Sequence, residues 1–446
     1  MKLIRLALPV YVELLAAVVA VGLIDLLWVS GLGSAAVAAV TIATTTEYLA
    51  LGVVLAVGTG TTVVVGRRDG RAPVAPVIRT AWLLCAAVSA AVAVPGVLLR
   101  EPLALLSTDD TATAALTADF YLVSLAALPV FFAQTLVDGI FKGYGDTRTP
   151  MRSALLCNTL VIALDPLFIY GLGLGVQGAA LATALARLVT LTVALALLSR
   201  RAPRGRRARA SLADAADIVR TGLPMSGDFL ARALAGMLLV DVIGGFGVAA
   251  LAGYGIGTKV MLAGVMVFYA LRQAAMIRTA RAGVPAPGTA GTGPGHPPGA
   301  EPADPALRYG LAAGLAVAAV LNAVAVPVTG LFTGDPAVAA GAVEFLRWTA
   351  LYLVPFGGLI ALGGVLQASG RGTRLLAATL AGLAVQVPLA HLMGAVLGVT
   401  GVWLAMAAGA VLSLAAASGR RAAAPSSAHG RGPRSTRTAA GPRSGR

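Results

Sequence analysis

Long apolar runs constrain this chain more than any other feature of its 446 residues. About twelve runs of about 20 residues carry few charges, and each is long enough to cross a bilayer as an α-helix. Hydrophobic residues make up 58% of the chain and charged residues only 12%, unlike a soluble domain. The predicted spans are 6–29, 35–65, 78–99, 118–141, 152–170, 175–199, 218–243, 248–277, 308–330, 343–366, 374–396 and 398–418. The sequence therefore predicts an all-α integral membrane protein.

The first half of the chain is repeated in the second half. Segments 8–38 and 223–252 both begin with Leu-Pro, carry an aspartate and end in Gly-x-Gly-x-Ala-Ala-x-Ala. A long apolar repeat of this kind is typical of transporters whose binding site lies between two halves. We therefore expect two pseudo-symmetric lobes of about six helices each, at 1–200 and 218–418, joined by a basic cytoplasmic linker at 201–217.

The charge of the loops assigns the two sides of the membrane. Loops that follow an even number of spans are rich in arginine and lysine, at 67–79, 142–152 and 200–209, whereas loops that follow an odd number carry almost none. Basic loops stay in the cytoplasm by the positive-inside rule. We therefore predict a multi-pass protein of the cell membrane with both termini in the cytoplasm.

Two polar stretches stand apart from the spans. Residues 283–304 are rich in glycine and proline and are predicted to form a flexible cytoplasmic loop. The basic tail 419–446 is predicted to be disordered. The formal net charge of +15 is carried by this tail and by the cytoplasmic loops, where it orients the chain in the membrane. No nucleic-acid partner is therefore expected.

The chain lacks the residue sets of a cofactor site, a metal site or an enzyme. Its two cysteines, Cys85 and Cys157, both fall inside predicted spans, so neither a disulfide nor a cysteine-rich metal site is expected. The segment around Gly58 lacks the Gly-Lys-Ser/Thr ending of a phosphate-binding loop. We therefore expect no cofactor and no catalysis, and energy drawn from an ion gradient.

Acidic residues inside the spans are the strongest candidates for a functional site, because each costs several kcal/mol in hydrocarbon unless it is paired or hydrated. Counted from the helix ends, Asp25, Asp165 and Thr183 lie roughly 8, 9 and 10 Å deep in the outer leaflet. Asn158 precedes Asp165 by about two helical turns and shares its face. Two neighbouring carboxyl groups can take up a proton or hold a monovalent cation. We therefore expect these four residues to carry ion coupling.

Four segments are specific enough to compare with a known family. They are the first span with its Leu-Pro and Asp25, the Gly-Tyr-Gly-Asp-Thr-Arg-Thr-Pro stretch at 143–150, the Asp-Pro-Leu motif that begins at Asp165, and the Gly-Ala-Ala-Leu-Ala-Thr stretch that ends at Thr183. Together they resemble the multidrug and toxic compound extrusion (MATE) family over most of residues 1–420, and the Asp-Pro-Leu motif resembles its DinF-like branch. The resemblance implies two six-helix lobes in a V shape, which rock between inward-open and outward-open forms.

The resemblance also implies a function. Members of the family expel organic cations or amphipathic toxins in exchange for protons or sodium, and the residues matching Asp25, Asp165 and Thr183 line a cavity of the first lobe. In the second half Val387 aligns with Asp165, so coupling is expected in the first lobe alone. Few oxygen ligands surround the predicted site, which favours protons over sodium.

Three further residues are candidates for the substrate cavity. Glu13 is an unusual acid of the first span, Trp28 lies near the outer boundary, and Asp241 is the repeat counterpart of Asp25. Trp28 has an alternative role as an interfacial anchor, and Asp241 as a hydrogen-bond partner of a neighbouring helix.

The sequence as a whole predicts a proton-coupled efflux antiporter for amphipathic or cationic small molecules, and a monomer suffices because both lobes lie in one chain. Two alternatives stay open. A flippase for lipid-linked saccharides, from the same broad superfamily, would need a strongly cationic central cavity. A non-transporting membrane scaffold would fit the altered end of the eighth span, where Arg278 and Arg281 stand in place of the expected motif.

Overall fold

The computed structural model describes residues 3–201, 209–282 and 303–419, and every regular element in these ranges is helical. The spans are numbered here in chain order. Those of the first half are Leu3–Leu32, Ser34–Arg68, Ala75–Leu98, the pair Thr111–Ala126 with Leu128–Gly143, Arg148–Gly171 and Gly175–Arg201. Those of the second half are Leu212–Gly244, Val248–Ala282, Ala303–Thr329, Pro336–Ala368, Gly372–Leu397 and Val399–Ser418. Spans 1–6 form the N lobe and spans 7–12 form the C lobe.

The helices are long enough to cross a membrane. Within the described residues, ten are both long and apolar enough to do so, and the two helices of span 4, which meet at an angle of 46°, make eleven if they are taken as one span. Span 7 is a further crossing by length, since its 33 residues rise about 50 Å. The prediction of an all-α membrane protein with about twelve spans is therefore confirmed.

The ends of the spans alternate between two faces. One face, called here the arginine-rich face, carries Arg67, Arg148, Arg200 and Arg281 at the ends of spans 2, 5, 6 and 8. The other is called the opposite face. The predicted loop 283–304 and the predicted tail 419–446 fall almost entirely outside the described residues.

Spans 4 and 10 each begin seven residues earlier than predicted, and both of these starts lie at the opposite face. Span 4 begins at Thr111 and span 10 at Pro336, whereas the sequence predicted starts at 118 and 343. Asp110 accepts a hydrogen bond from the backbone N–H of Thr113, and Asp335 accepts from the N–H groups of the first turn of span 10. These N-caps satisfy amide groups that a helix leaves unpaired, which lets the polar first turns extend beyond the apolar runs. The hydrogen bonds from Thr113 also hold the pKa of the Asp110 carboxyl below its usual value.

Spans 1 and 5 depart from α-helical geometry close to their acidic residues. Residues Leu15–Ala20 of span 1 form a π-helical stretch, and Leu167–Gly171 form another directly after Pro166 in span 5. Such stretches are uncommon and occur frequently at functional sites. In span 1 the carbonyl of Ala16 accepts from the N–H of Val21, five residues along the chain, and from the side chain of Asn158 at 3.0 Å.

The two lobes contact each other mainly through spans 2 and 7. A Cβ atom built on Gly222 would lie 1.7 Å from the carbonyl oxygen of Ala56, and one built on Gly60 would lie 2.2 Å from that of Ile218. The backbones of these spans can approach so closely only because glycine has no side chain. The contact lies on the arginine-rich half of both spans. Farther along span 7, nothing lies within 4 Å of a Cβ position on Gly244.

Candidate functional site

The N lobe contains a cavity of about 120 Å³ between spans 1, 2, 4 and 6. Its wall is mostly apolar. The polar and charged side chains that line it are those of Asp25, Thr44, Glu47, Ser124, Thr183 and Arg187. A cavity of this size holds several water molecules or an ion but is smaller than the usual pocket for a drug-sized ligand.

Asp25 and Thr183 meet at the wall of this cavity, as the sequence predicted from their depths. The hydroxyl of Thr183 donates a long hydrogen bond, 3.4 Å, to Oδ1 of Asp25. Both side chains are buried within the lobe and come from spans 1 and 6. The π-helical stretch precedes Asp25 along span 1, so a change in its register would move this carboxyl group relative to Thr183.

Asp165 lies behind Asp25, away from the cavity. It is 0% exposed, and neither oxygen of its carboxyl group accepts a hydrogen bond from a described donor, although the carboxyl group of Asp25 lies close enough to share a proton with it. Its charge repels that of Asp25, and the charge of Glu47 adds to this repulsion, whereas that of Arg187 opposes it. A buried carboxylate without partners costs several kcal/mol. Asp165 therefore needs a proton or a cation to compensate its charge.

Asn158 makes a different contact from the one that its spacing predicted. It shares span 5 with Asp165, but its amide nitrogen donates to Ala16 in the π-helical stretch of span 1, and its Oδ1 atom is buried without a hydrogen-bond partner in the described residues. Asn158 thus ties span 5 to the irregular part of span 1. Its role in ion coupling stays a prediction.

Glu47 and Arg187 belong to the same cavity, and both are charged residues inside predicted spans that the sequence did not assign to ion coupling or to substrate. Arg187 lies 3.6 Å from the carboxylate of Glu47, and its guanidinium carbon lies 4.3 Å from the ring centre of Phe131. A signal for Arg187 exists in the sequence, because it follows Thr183 by about one helical turn and so shares its face. For Glu47 the signal is its position as an acidic residue inside a predicted span.

The three residues predicted for the substrate cavity lie elsewhere. Glu13 forms a buried ion pair with Lys142, at 2.7 Å. Trp28 packs against the apolar core of the N lobe, and its carbonyl accepts from the hydroxyl of Tyr170. Asp241 is exposed near the opposite face. Among the described residues, none of the three lines the N-lobe cavity, and their contact with substrate stays a prediction.

The altered end of span 8 joins the two lobes at the arginine-rich face. Arg281 lies 2.7 Å from the carboxylate of Asp69, at the end of span 2, and donates to the carbonyl of Gly143 at 3.1 Å. Arg67 donates across the same face to the carbonyl of Ala368 at 2.7 Å. The substituted motif therefore still supplies a contact between the lobes.

Comparison with known proteins agrees with this architecture. The family model MatE matches residues 9–167 and 301–392. A curated protein named FAD transporter, from Shewanella oneidensis, is 27% identical over 91% of this chain and 90% of its own length. The structure of the MATE transporter VcmN from Vibrio cholerae in its bent form superposes with a TM-score of 0.80, at 20% identity over 93% of this chain and 94% of that one. A MOP superfamily transporter from Pyrococcus furiosus gives a TM-score of 0.82, at 23% identity and 93% coverage of both chains. The proteins of this family are membrane transporters and not enzymes, and the chain described here belongs to the MATE family.

Proposed function

We propose that the protein is a secondary efflux transporter that exports amphipathic or cationic small molecules in exchange for protons, with Asp25 and Asp165 as the proton-carrying groups. The observation that carries this proposal is the carboxyl group of Asp165, which is fully buried and unpartnered beside the cavity-facing Asp25. A group that must be neutralised inside a membrane, next to a second acid that reaches water, suits the binding and release of a proton.

The hydrogen-bond network around the two acids supports a conformational role for the proton. Thr183, a residue of span 6, donates a hydrogen bond to Asp25. Asn158, a residue of span 5, donates a hydrogen bond to the π-helical stretch that precedes Asp25 in span 1. Protonation of Asp25 removes its repulsion with Asp165 and weakens its attraction to Arg187. Span 1 is then free to change its register at the π-helical stretch and displace bound substrate, which shifts a two-state lobe equilibrium.

Protons fit this site better than sodium. Sodium is bound by several oxygen ligands at short distances, as other hard cations are. The oxygens that gather here are those of Asp25, Asp165 and Thr183, and the hydrogen bond between Asp25 and Thr183 is already 3.4 Å long. No cluster of three or more acidic, histidine or cysteine side chains suited to a metal ion occurs in the described part of the chain.

The substrate class follows from charge and space. Asp25 and Glu47 give the N-lobe cavity its acidic character, which favours cations, and its apolar wall favours amphipathic molecules. Because the cavity holds about 120 Å³ in this conformation, a drug-sized substrate must occupy it in another conformation or bind elsewhere between the lobes. Because one relative is named FAD transporter, aromatic anions should be tested as substrates as well.

The orientation in the membrane is part of the same proposal. Export driven by protons that re-enter the cell needs the coupling site to open outward, and the arginine-rich face suits the cytoplasmic side by the positive-inside rule. Both termini then lie in the cytoplasm of a cell-membrane protein, and one chain supplies the complete pair of lobes.

The test is proton movement in reconstituted vesicles with an imposed pH gradient and a pH-sensitive dye inside. Ethidium should dissipate the gradient with the wild-type protein but not with Asp25→Asn or Asp165→Asn. Asp119→Asn is the matched control, since Asp119 is an exposed acid of span 4 outside the wall of the N-lobe cavity, and it should retain wild-type exchange. An undiminished ethidium response in Asp25→Asn and Asp165→Asn would contradict proton coupling at these residues.

A further inference from the structure

A second cavity lies in the C lobe, lined by residues of spans 7, 8, 10, 11 and 12. Its volume of about 370 Å³ falls within the range of small-molecule sites, unlike that of the N-lobe cavity. No residue assigned to proton coupling contributes to it. Its lining must therefore be explained by something other than the coupling site.

Positive charge dominates this cavity. Arg232 and Arg272 share the single carboxylate of Asp228, at 3.1 and 3.0 Å, and the hydroxyl of Thr379 donates to the same carboxylate at 2.6 Å. One acid cannot neutralise both arginines. Lys259 lines the cavity as well and forms no ion pair with a described residue.

Both arginines also carry N–H groups that have no hydrogen-bond acceptor in the described residues. The Nε atom of Arg232, a residue of the cavity wall, is buried without a hydrogen-bond partner in the described residues, as are Nε and Nη2 of Arg272 behind it. Buried donors of charged groups are usually satisfied, because leaving them unpaired is costly. These nitrogen atoms are not exposed to the cavity, so they reflect the shortage of negative charge around the two arginines. An anion in the cavity would approach the exposed part of the Arg232 guanidinium group and the ammonium group of Lys259.

The remaining wall is rich in aromatic rings. Tyr352 and Phe356 are stacked, with ring centres 4.7 Å apart and an interplanar angle of 21°, and the guanidinium carbon of Arg232 lies 5.2 Å from the centre of Phe356. Tyr254 and Tyr269 line the cavity from span 8. Flat rings of this kind offer stacking surfaces to a planar ligand and hydroxyl groups to its polar edge.

The two lobes thus present opposite charges to a ligand. Span 2 contributes Glu47 to the N-lobe cavity, whereas its repeat counterpart, span 8, contributes Lys259 to the C-lobe cavity. Like charges facing each other in a confined site cost several kcal/mol. An organic cation is therefore disfavoured in the C-lobe cavity.

We propose that the C-lobe cavity binds an aromatic anion, a planar ring system that carries a phosphate, carboxylate or sulfonate group. Arg232 and Lys259 bind the anionic group, and the ring packs against Tyr352 and Phe356. This site is separate from the one proposed for proton coupling, and its occupancy does not depend on proton movement at Asp25.

The test is equilibrium binding to the purified full-length protein in detergent, followed by flavin fluorescence. Flavin mononucleotide and riboflavin share one ring system and differ by a phosphate, so their comparison isolates the charge. We expect flavin mononucleotide to bind about 10-fold or more tightly than riboflavin, because charge-assisted hydrogen bonds to the phosphate are strong. Added salt should weaken the binding of flavin mononucleotide alone.

Two variants locate the site. Lys259→Gln removes an exposed charge that makes no ion pair with a described residue, so it should fold, and it should weaken flavin mononucleotide binding about 10-fold while leaving riboflavin unchanged. Arg347→Gln removes an exposed charge from span 10 of the same lobe, outside the cavity wall, and should leave both affinities unchanged.

Several outcomes would overturn the proposal. Flavin mononucleotide that binds no better than riboflavin, or does not bind, would exclude an anion site. Equal losses in the two variants would place the bound phosphate outside the cavity. If inorganic phosphate displaced flavin mononucleotide at concentrations as low as those at which flavin mononucleotide itself binds, the aromatic rings would contribute nothing to binding. Failure of the proton assay with Asp25→Asn would leave all these binding results unaffected.

Discussion

Replacing Gly222 by alanine is expected to disturb the contact between the lobes. The added Cβ would lie 1.7 Å from the carbonyl oxygen of Ala56, so spans 2 and 7 would have to separate by about 2 Å to restore an ordinary contact. Overpacking of this kind costs about 1–3 kcal/mol. The cost arises only while the lobes are closed at the arginine-rich face. The equilibrium should therefore shift away from this form by about 5- to 150-fold.

The assay is the distance between spin labels on the two lobes. Ser199 at the end of span 6 and Ser418 at the end of span 12 are exposed serines on the arginine-rich face, one in each lobe. Cysteines at these two positions can be labelled after Cys85 and Cys157 are replaced by alanine. Pulsed electron resonance then gives the distribution of distances, in which Gly222→Ala should add or enlarge a longer component.

Gly244→Ala is the matched control. It also adds a methyl group to span 7, but nothing lies within 4 Å of the new Cβ atom. Alanine is a better helix former than glycine, so this variant should keep the wild-type distances with unchanged or slightly higher stability. If Gly222→Ala gives the same distance distribution as Gly244→Ala, the contact between spans 2 and 7 does not hold the lobes in this form.

Two further predictions concern charged groups near the arginine-rich face. Glu13→Gln removes the negative charge that pairs with the buried ammonium group of Lys142 at 2.7 Å, so the free energy of unfolding should fall by up to about 3–5 kcal/mol. The double variant with Lys142→Met should recover most of this loss in thermal unfolding, and no recovery would contradict the pairing. Burial alone would raise the pKa of Asp146, but hydrogen bonds from Thr149 and the charge of Arg201, 2.7 Å away, hold it below its usual value. Its stabilising contribution is therefore present above about pH 4 and lost on further acidification, and Asp146→Asn should flatten this acid limb of the unfolding temperature against pH. An acid limb that is the same in both proteins would exclude this role.

Much of the fold could be predicted because membrane insertion leaves a strong signal in the sequence. A run of about 20 apolar residues has few alternatives to a spanning helix, and the internal repeat adds the division into two lobes. The helix starts at Thr111 and Pro336 were missed, although Asp110 and Asp335 are recognisable N-cap residues. The apolar runs begin after these polar first turns, so they do not reveal them.

The geometry of the candidate coupling site could also be predicted in part. The depth of Asp25 and Thr183 along their helices sufficed to bring them together, because a helix rises by a constant amount per residue. The partner of Asn158 depends on the π-helical stretch of span 1, which has no local sequence signal. The pairing of Glu13 with Lys142 joins helices far apart in sequence, so spacing could not reveal it.

The internal repeat does not predict which charged residues line the C-lobe cavity. Asp241 aligns with Asp25, but it is exposed near the opposite face and outside the cavity wall. Arg232 and Lys259 have no basic counterparts at the aligned positions of the first half. Two lobes can thus share a backbone arrangement while packing sets different charges in their cavities, which only a three-dimensional arrangement reveals.

The central claim is that a proton leaves the Asp25–Asp165 pair when substrate binds. The most direct measurement is the pH of a weakly buffered solution of the purified protein as ethidium is added. We expect proton release by the wild-type protein and no release by Asp25→Asn or Asp165→Asn, with Asp119→Asn releasing as the wild type does. Saturable ethidium binding by the wild-type protein without any proton release, or equal release by Asp165→Asn, would contradict it.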